Sequence, residues 1–232
     1  MKASVLAVSA IVAMSSFAAE AQWGLNVGPV YVGPQESSSN LNVIEEVAGL
    51  TPGSTELAVN GNTQLGITLD YKFNPNWAVQ LIAATPFSHD IEVSGSAIDG
   101  LHVGKTKHLP PTLLAQYHVT RFSDRWQPFI GVGLNYTTFF DEQVDGQLSG
   151  ALDSLGVTQS TDDVSLTLSD SWGLALQAGV NVQLTENLGI HAMVSQMNIA
   201  TTGRVRVNGT TVQRVAVDID PLVTMVGVRW LF

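Results

Sequence analysis

The chain has 232 residues, no cysteine and a formal net charge of −10. Only 13% of its residues are charged, against about 25% in an ordinary globular protein. Disulfide-stapled secreted scaffolds are excluded, and so acidic a chain is a poor candidate for nucleic-acid binding.

Residues 1–21 read as a secretory signal peptide. Lys2 gives a short basic n-region, an apolar stretch runs from Ala3 to about Ala13, and Ala19-Glu20-Ala21 is an A-x-A cleavage pattern. The cut is expected after Ala21, with Ala18 as second choice. The stretch is too short and interrupted for a spanning helix, which needs about 20 apolar residues.

Eight segments then alternate with period two, the mark of β-strands. The first starts at Trp23. The second places Leu65, Ile67, Leu69, Tyr71 and Phe73 on one face and Gln64, Gly66, Thr68, Asp70 and Lys72 on the other. The third runs from Trp77 to about Ser88, with Trp77, Val79, Leu81, Ala83 and Phe87 sharing a face. The fourth covers His108 to Phe122, with Leu109, Leu113, Ala115, Tyr117 and Val119 outward. The fifth covers Gln127 to Asp141, with Ile130, Val132, Leu134, Tyr136 and Phe140 outward.

The sixth, Ser171 to Leu184, carries Trp172, Leu174, Leu176, Ala178, Val180, Val182 and Leu184 on one face. It is about 14 residues long, where soluble strands average about 5–6 and tilted membrane strands need about 9–11. Its other face is small or amide-bearing, as a narrow barrel interior would be. The seventh, Leu188 to about Arg206, alternates poorly past Val194. The eighth ends the chain, with Leu222, Thr224, Val226, Val228, Trp230 and Phe232 on one face. An apolar, aromatic terminus fits lipid outside the sheet and an aromatic seated at the membrane interface.

Three connections are tight: Asn74-Pro75-Asn76, Ser123-Asp124-Arg125 and Thr185-Glu186-Asn187. The others, at about 34–62, 89–107, 142–169 and a short one near Asn208-Gly209, read as loops. Tight turns and loops alternate, so an up-and-down barrel gathers each kind at one rim. The predicted fold is all-β: residues 22–232 form an eight-stranded antiparallel up-and-down transmembrane β-barrel, with both termini in the periplasm.

The alternation also predicts the lumen, which eight strands leave just wide enough for side chains to fill. Gln80, Gln116, His118, Asn135, Gln177, Asn181 and Arg229 are its polar members. Ile82, Leu114, Phe129, Met193 and Met225 form an apolar constriction or pocket, or else a packed plug that only stabilises the barrel. Pro86, Pro110 and Pro111 lack an N–H and interrupt the ladder, which marks a possible lateral opening or merely the end of pairing above the membrane. The loop acids, such as Glu45, Glu46, Asp162 and Asp163, show no calcium-loop spacing. His89, His102, His108, His118 and His191 show no metal-ligand spacing. Ser88, His89 and Asp90 are adjacent on a strand and face opposite ways, which argues against a triad. No catalytic residue, metal or cofactor is predicted.

Several stretches resemble the outer membrane protein W (OmpW) family of Gram-negative bacteria: Asn62-Thr63-Gln64-Leu65-Gly66, Leu81 through Phe87, His108 through Leu113, Gly133 through Phe140, Asp170-Ser171-Trp172-Gly173, and Asp220-Pro221 through Phe232. The first long loop and the middle of the third diverge. The resemblance implies an eight-stranded outer-membrane barrel that passes small hydrophobic molecules, as the related AlkL proteins do with alkanes, by a route that leaves sideways into the membrane. It also implies that Trp230 and Phe232 form a signal read by the barrel assembly machinery. Outer-membrane lipids, lipopolysaccharide and small hydrophobic solutes are the expected partners. The alternative function is a closed structural or stress-response barrel.

Overall fold

A computed structural model of the chain describes residues 22–120, 123, 125–159 and 161–232. The predicted signal peptide, residues 1–21, and Phe122, the predicted end of the fourth strand, lie outside the described residues.

In chain order, β1 (Gln22–Gly33) is followed by β2 (Ser37–Ser38), α1 (Asn42–Ala48) and β3 (Glu56–Val59). Next come β4 (Asn62–Lys72), β5 (Trp77–Ala84), β6 (Phe87–Ser94), β7 (His102–Leu109) and β8 (Thr112–His118). The strand β9 (Trp126–Val144) leads to α2 (Gly146–Ser154) and β10 (Val164–Leu168). The chain ends with β11 (Ser171–Gln183), β12 (Leu188–Met197), β13 (Ala200–Val207), β14 (Thr210–Asp218) and β15 (Leu222–Leu231).

Eight of these strands close a barrel in the order β1-β4-β5-β8-β9-β11-β12-β15, with β15 returning to β1. Every neighbouring pair in it is antiparallel. Closure leaves no edge to template aggregation or to strand polar groups in lipid. The seal is completed at the last residue: Trp23 N–H donates to Phe232 O at 3.1 Å and Phe232 N–H to Trp23 O at 3.0 Å.

The predicted parity holds around the barrel except at Phe87, expected on the outer face with Trp77 but buried, because the strand breaks at Thr85-Pro86 before reaching it. Ile130, Leu176, Trp172 and Val226 stand exposed on the outer wall, while Gln80, Leu114, Gln177 and Met225 are buried inside. Leu176 is 60% exposed, too much for a large aliphatic residue in water when its neighbours on the same wall are exposed as well. Aromatics mark both rims of this apolar wall. Trp126, Trp77 and Trp230 lie at one rim and Tyr136 with Trp172 at the other, the last pair in contact at 4.7 Å between ring centroids. Along β9 the step from Trp126 to Tyr136 spans roughly 34 Å of strand, or about 24 Å of height at a 45° tilt, which matches a ~25 Å apolar band.

Turn chemistry explains the tight end. Asn74 Oδ1 accepts from Asn76 N–H and Trp77 N–H, both at 2.9 Å, and Thr185 Oγ1 accepts from Leu188 N–H at 3.1 Å.

The opposite end differs from the expectation of loops. Residues predicted as loops at 34–62, 89–107 and 142–169 hold β2, α1, β3, most of β6 and β7, α2 and β10. The third and fourth predicted strands each break in two, at Thr85-Pro86 and Pro110-Pro111. The seventh breaks after Met197, and β13 leaves the barrel to join a four-stranded sheet ordered β10-β13-β14-β2. The predicted short connection is the β13–β14 turn, where Asn208 (φ 48°) and Gly209 (φ 79°) take the left-handed conformations of a type I′ hairpin. An apolar core of its own, including Leu41, Leu57, Val93, Val103, Leu148 and Val215, holds this end together.

Candidate functional site

The lumen is layered. Toward the tight-turn end lies a hydrogen-bonded polar floor built from strands all round the barrel. Arg229 on β15 pairs with Asp70 on β4 and donates to Asn26 Oδ1 on β1 at 2.9 Å. Asn26 donates to Thr68 Oγ1 at 2.6 Å and to Asp70 Oδ2 at 3.0 Å. Gln80 donates to Asp70 Oδ1 at 2.6 Å, Gln177 to Gln80 at 2.8 Å, and Gln116 to Gln177 at 2.7 Å. His118 Nε2 lies 3.2 Å from Gln116 Oε1, and His191 Nδ1 lies 2.7 Å from Asn181 Oδ1. Phe129 crosses between the two histidines, its ring 5.3 Å from His118 and 5.5 Å from His191. It has room because Gly179 faces it; a Cβ there would collide with the Phe129 ring. Such a network satisfies most of its buried polar groups, His118 Nδ1 and His191 Nε2 having no partner among the described residues, and leaves no straight apolar path through the floor.

Above the floor sits an apolar layer that includes Val30, Ile82, Leu114, Met193 and Met225. All five residues predicted for the apolar lumen are buried, with Phe129 set lowest, among the floor histidines. All seven predicted polar lumen residues are also buried. Asn135 belongs to a separate group, donating to Thr112 Oγ1 at 2.9 Å and accepting from Thr137 Oγ1 at 2.7 Å.

The wall beside this layer has two interrupted seams. Pairing of β5 with β8 ends at Ile82↔Thr112, and resumes as β6–β7 at Phe87↔His108. Pairing of β4 with β5 ends at Gly66↔Ala84, and resumes as β3–β6 at Val59↔Ile91. Pro86 lies in the break, exposed and without an N–H to offer. Pro110 and Pro111 are tied the other way, to β9: Tyr136 N–H donates to Pro111 O at 3.1 Å and Asn135 Nδ2 to Pro110 O at 3.2 Å. At the β4 seam one backbone bond, Thr85 N–H to Leu65 O at 3.0 Å, carries the ladder a residue past Ala84, and side chains bridge the rest. Thr85 Oγ1 donates to Gln64 Oε1 at 3.0 Å, and Asn62 Nδ2 to Ser88 O at 2.8 Å. A small cleft of about 10 Å³ opens here between the lumen residues Ile82 and Met197 and the wall residues Ala83, Ala84, Phe87 and Pro110.

One layer further up, an apolar cavity of about 50 Å³ lies at the loop end. A single water needs roughly 10–15 Å³ on a comparable measure. Its walls come from β1, β3, β6, β7, β9, β10, β13 and β14, through residues such as Val32, Leu57, Ile91, Phe139, Leu166 and Val217, and from Ile199 in the link between β12 and β13. None of the five predicted apolar lumen residues lines it; Ile82 lines the cleft below. Phe87, fully buried, stands at the cleft and stacks on His108 at 5.3 Å. His108 stacks in turn on His89 at 4.9 Å and 15°. Both histidines line the cavity above the aromatic rim. Burial, and then the neighbouring His89, push His108 down to about 3. Burial likewise lowers His89. Both rings are neutral at ordinary pH. Sequence patterning missed this site because its residues are split between segments that read as loops, such as those holding Leu57, Ile91 and Leu166, and parts of predicted strands, such as His108, Phe139 and Ile199; His89 and His108 looked scattered and meet only through the β6–β7 pairing.

The OmpW family model matches residues 22–232. The chain belongs to the OmpW family. It is 37% identical to outer membrane protein W of Vibrio cholerae, with 100% of both chains covered. The crystal structure of OprG from Pseudomonas aeruginosa superposes with a TM-score of 0.75 at 35% identity, covering 91% of this chain and 95% of that one. Outer membrane protein AlkL of Ectopseudomonas oleovorans is 26% identical, over 89% of this chain and 80% of its own. These relatives are outer-membrane barrel proteins, and the OmpW-family chain described here is an outer-membrane β-barrel of the same kind.

Proposed function

We propose that this barrel passes small apolar molecules into the membrane through its side wall. A solute enters at the loop end, which faces the cell exterior, and occupies the cavity lined by Val32, Ile91, Phe139 and Val217. It then moves past Phe87 and leaves at the broken seams around Ala84, Pro86 and Pro110. The tight turns and both termini face the periplasm.

One observation carries this reading: an apolar cavity stands over a polar floor, with the wall ladder broken between them. Crossing the floor would strip an apolar solute of apolar contacts and break several hydrogen bonds. Leaving sideways crosses no such floor; the cleft at the wall, about 10 Å³, marks where the side wall would widen for a solute to pass. In lipid an open backbone ladder is expensive, and here side chains of Thr85, Gln64 and Asn62 meet part of that cost. The family resemblance, with AlkL among the relatives, supports the same solute class.

The alternative is a closed structural barrel, favoured by the hydrogen-bonded floor alone. Uptake of a fluorescent hydrocarbon by cells carrying or lacking the barrel separates the two. Faster uptake with the barrel supports passage; equal rates support the closed barrel. The same reading takes lipids and lipopolysaccharide as the surroundings and the assembly machinery as the reader of Trp230 and Phe232.

A further inference from the structure

The cavity wall is apolar except at two stacked histidines and at Thr106, Thr137 and Thr201, of which Thr106 Oγ1 donates to Lys107 O at 3.4 Å. Asn60 O lies 2.5 Å from His89 Nδ1. A carbonyl can only accept, so Nδ1 carries the proton, and in the neutral ring Nε2 is a bare acceptor. Nε2 is buried and has no partner among the described residues, in a side chain that is 2% exposed. His108 is also buried and makes ring contacts with Phe87, His89 and Phe139 but no hydrogen bond among the described residues. Its neutral ring holds one N–H donor and one acceptor. The nearby threonines are already committed: Thr137 Oγ1 donates to Asn135 Oδ1 at 2.7 Å and Thr201 Oγ1 to Ser169 O at 2.7 Å.

A solely hydrocarbon-binding cavity gains nothing from such an acceptor, and leaving one unmade is costly. We propose that His89, with His108 beside it, selects apolar molecules bearing one hydroxyl group, such as alcohols and phenols. The hydroxyl donates to His89 Nε2 and can accept from the His108 N–H, while the rest of the molecule fills the apolar space toward Phe139 and Ile91. The assignment rests on the cavity being a solute site, as the proposed function holds, and adds which solutes it favours. The parallel pairing of Phe87, His108 and His89 suits an aromatic ring entering the same stack.

The test compares 1-naphthol with 1-methoxynaphthalene, which keeps the ring and oxygen but lacks the donor. Binding is measured to the full mature barrel in lipid nanodiscs, corrected with empty nanodiscs. One hydrogen bond to a buried acceptor predicts about five- to tenfold tighter binding of 1-naphthol. His89→Phe, which keeps a stacked ring, should bring the ratio to about one. The nitrogen resonance of Nε2 in ¹⁵N-histidine-labelled wild-type protein provides a readout that needs no variant: it should move with 1-naphthol and stay with 1-methoxynaphthalene. Equal binding of both probes to the wild type, or an unmoved Nε2 resonance, overturns the assignment and leaves the channel reading standing. Binding of neither probe overturns both.

Discussion

Arg229 on the last strand and Asp70 on the second barrel stave form an ion pair buried in the lumen, 159 residues apart in sequence. Neither side chain has access to lipid, because Asn26 on the intervening strand sits between them and bonds to both. The pair therefore fastens the seam where the chain end closes on its beginning. It also anchors the floor that blocks a straight exit.

Removing one partner should cost far more than removing both. Asp70→Asn leaves a buried guanidinium without its counter-charge, an expected loss of about 3–5 kcal/mol. Adding Arg229→Gln should return most of it. Urea unfolding of the barrel in lipid vesicles, followed by tryptophan fluorescence, measures both. Equal losses in single and double variants would mean the pair does not couple the two strands.

Ile82 faces the lumen where the cleft meets the wall, and it is 5% exposed. Ile82→Arg places a long charged group across the exit. Solute uptake per folded barrel should fall about tenfold or more, since an apolar molecule must pass a desolvated charge. Heat-modifiable gel migration reports the folded fraction. Unchanged uptake by folded protein would point to the closed-barrel alternative.

Acid should loosen the loop end. His108 is neutral when folded, held down to about 3 from an ordinary 6.5. The unfolded state therefore takes up a proton first. Its contribution to stability is complete above about pH 6.5 and is lost as pH falls from there toward 3. Hydrogen-exchange protection of β6 and β7, corrected for intrinsic rates, should drop between pH 7 and pH 4. His108→Phe should flatten that slope.

Deleting Phe232 should reduce the yield of inserted barrels more than it slows passage through those that insert. Phe232 is 65% exposed on the outer wall and lies far from the cavity, while its backbone closes the sheet against Trp23. Folded yield and uptake per folded barrel are measured on the same membranes. A normal yield with impaired uptake would contradict the role assigned to the terminus.

The membrane half of this protein was open to reading because lipid enforces strict alternation. Wherever the outside is hydrocarbon, as along Trp172, Leu174 and Leu176, parity alone separates wall from lumen. The same parity pointed Gln80, Gln116, Gln177 and Arg229 inward, but Asn26, Asp70 and His191, which complete the floor with them, were not singled out. The loop end obeys no such rule. In β14, Val215 and Val217 are buried beside Arg214 and Asp218, whose sequence pattern also suits a solvated loop. In α2 only Leu148 and Leu152 are buried, and glycine and serine dilute the helical signal. The histidine pair was hidden for a different reason: its geometry depends on register between β6 and β7, including a bulge beyond Ile91. Prolines marked the seam correctly as a place where pairing fails, yet the missing contacts belong to partners far along the chain.

Closing the seam chemically is the most direct test of sideways exit. Gln64 and Thr85 are diagonal neighbours across it, their side chains joined by a 3.0 Å hydrogen bond, and the natural chain has no cysteine to interfere. In a Gln64→Cys/Thr85→Cys variant, oxidation should join β4 to the β5–β6 break and stop uptake of a hydrocarbon probe, and reduction should restore it in the same membranes. Uptake that continues unchanged with the disulfide fully formed would contradict exit through this wall.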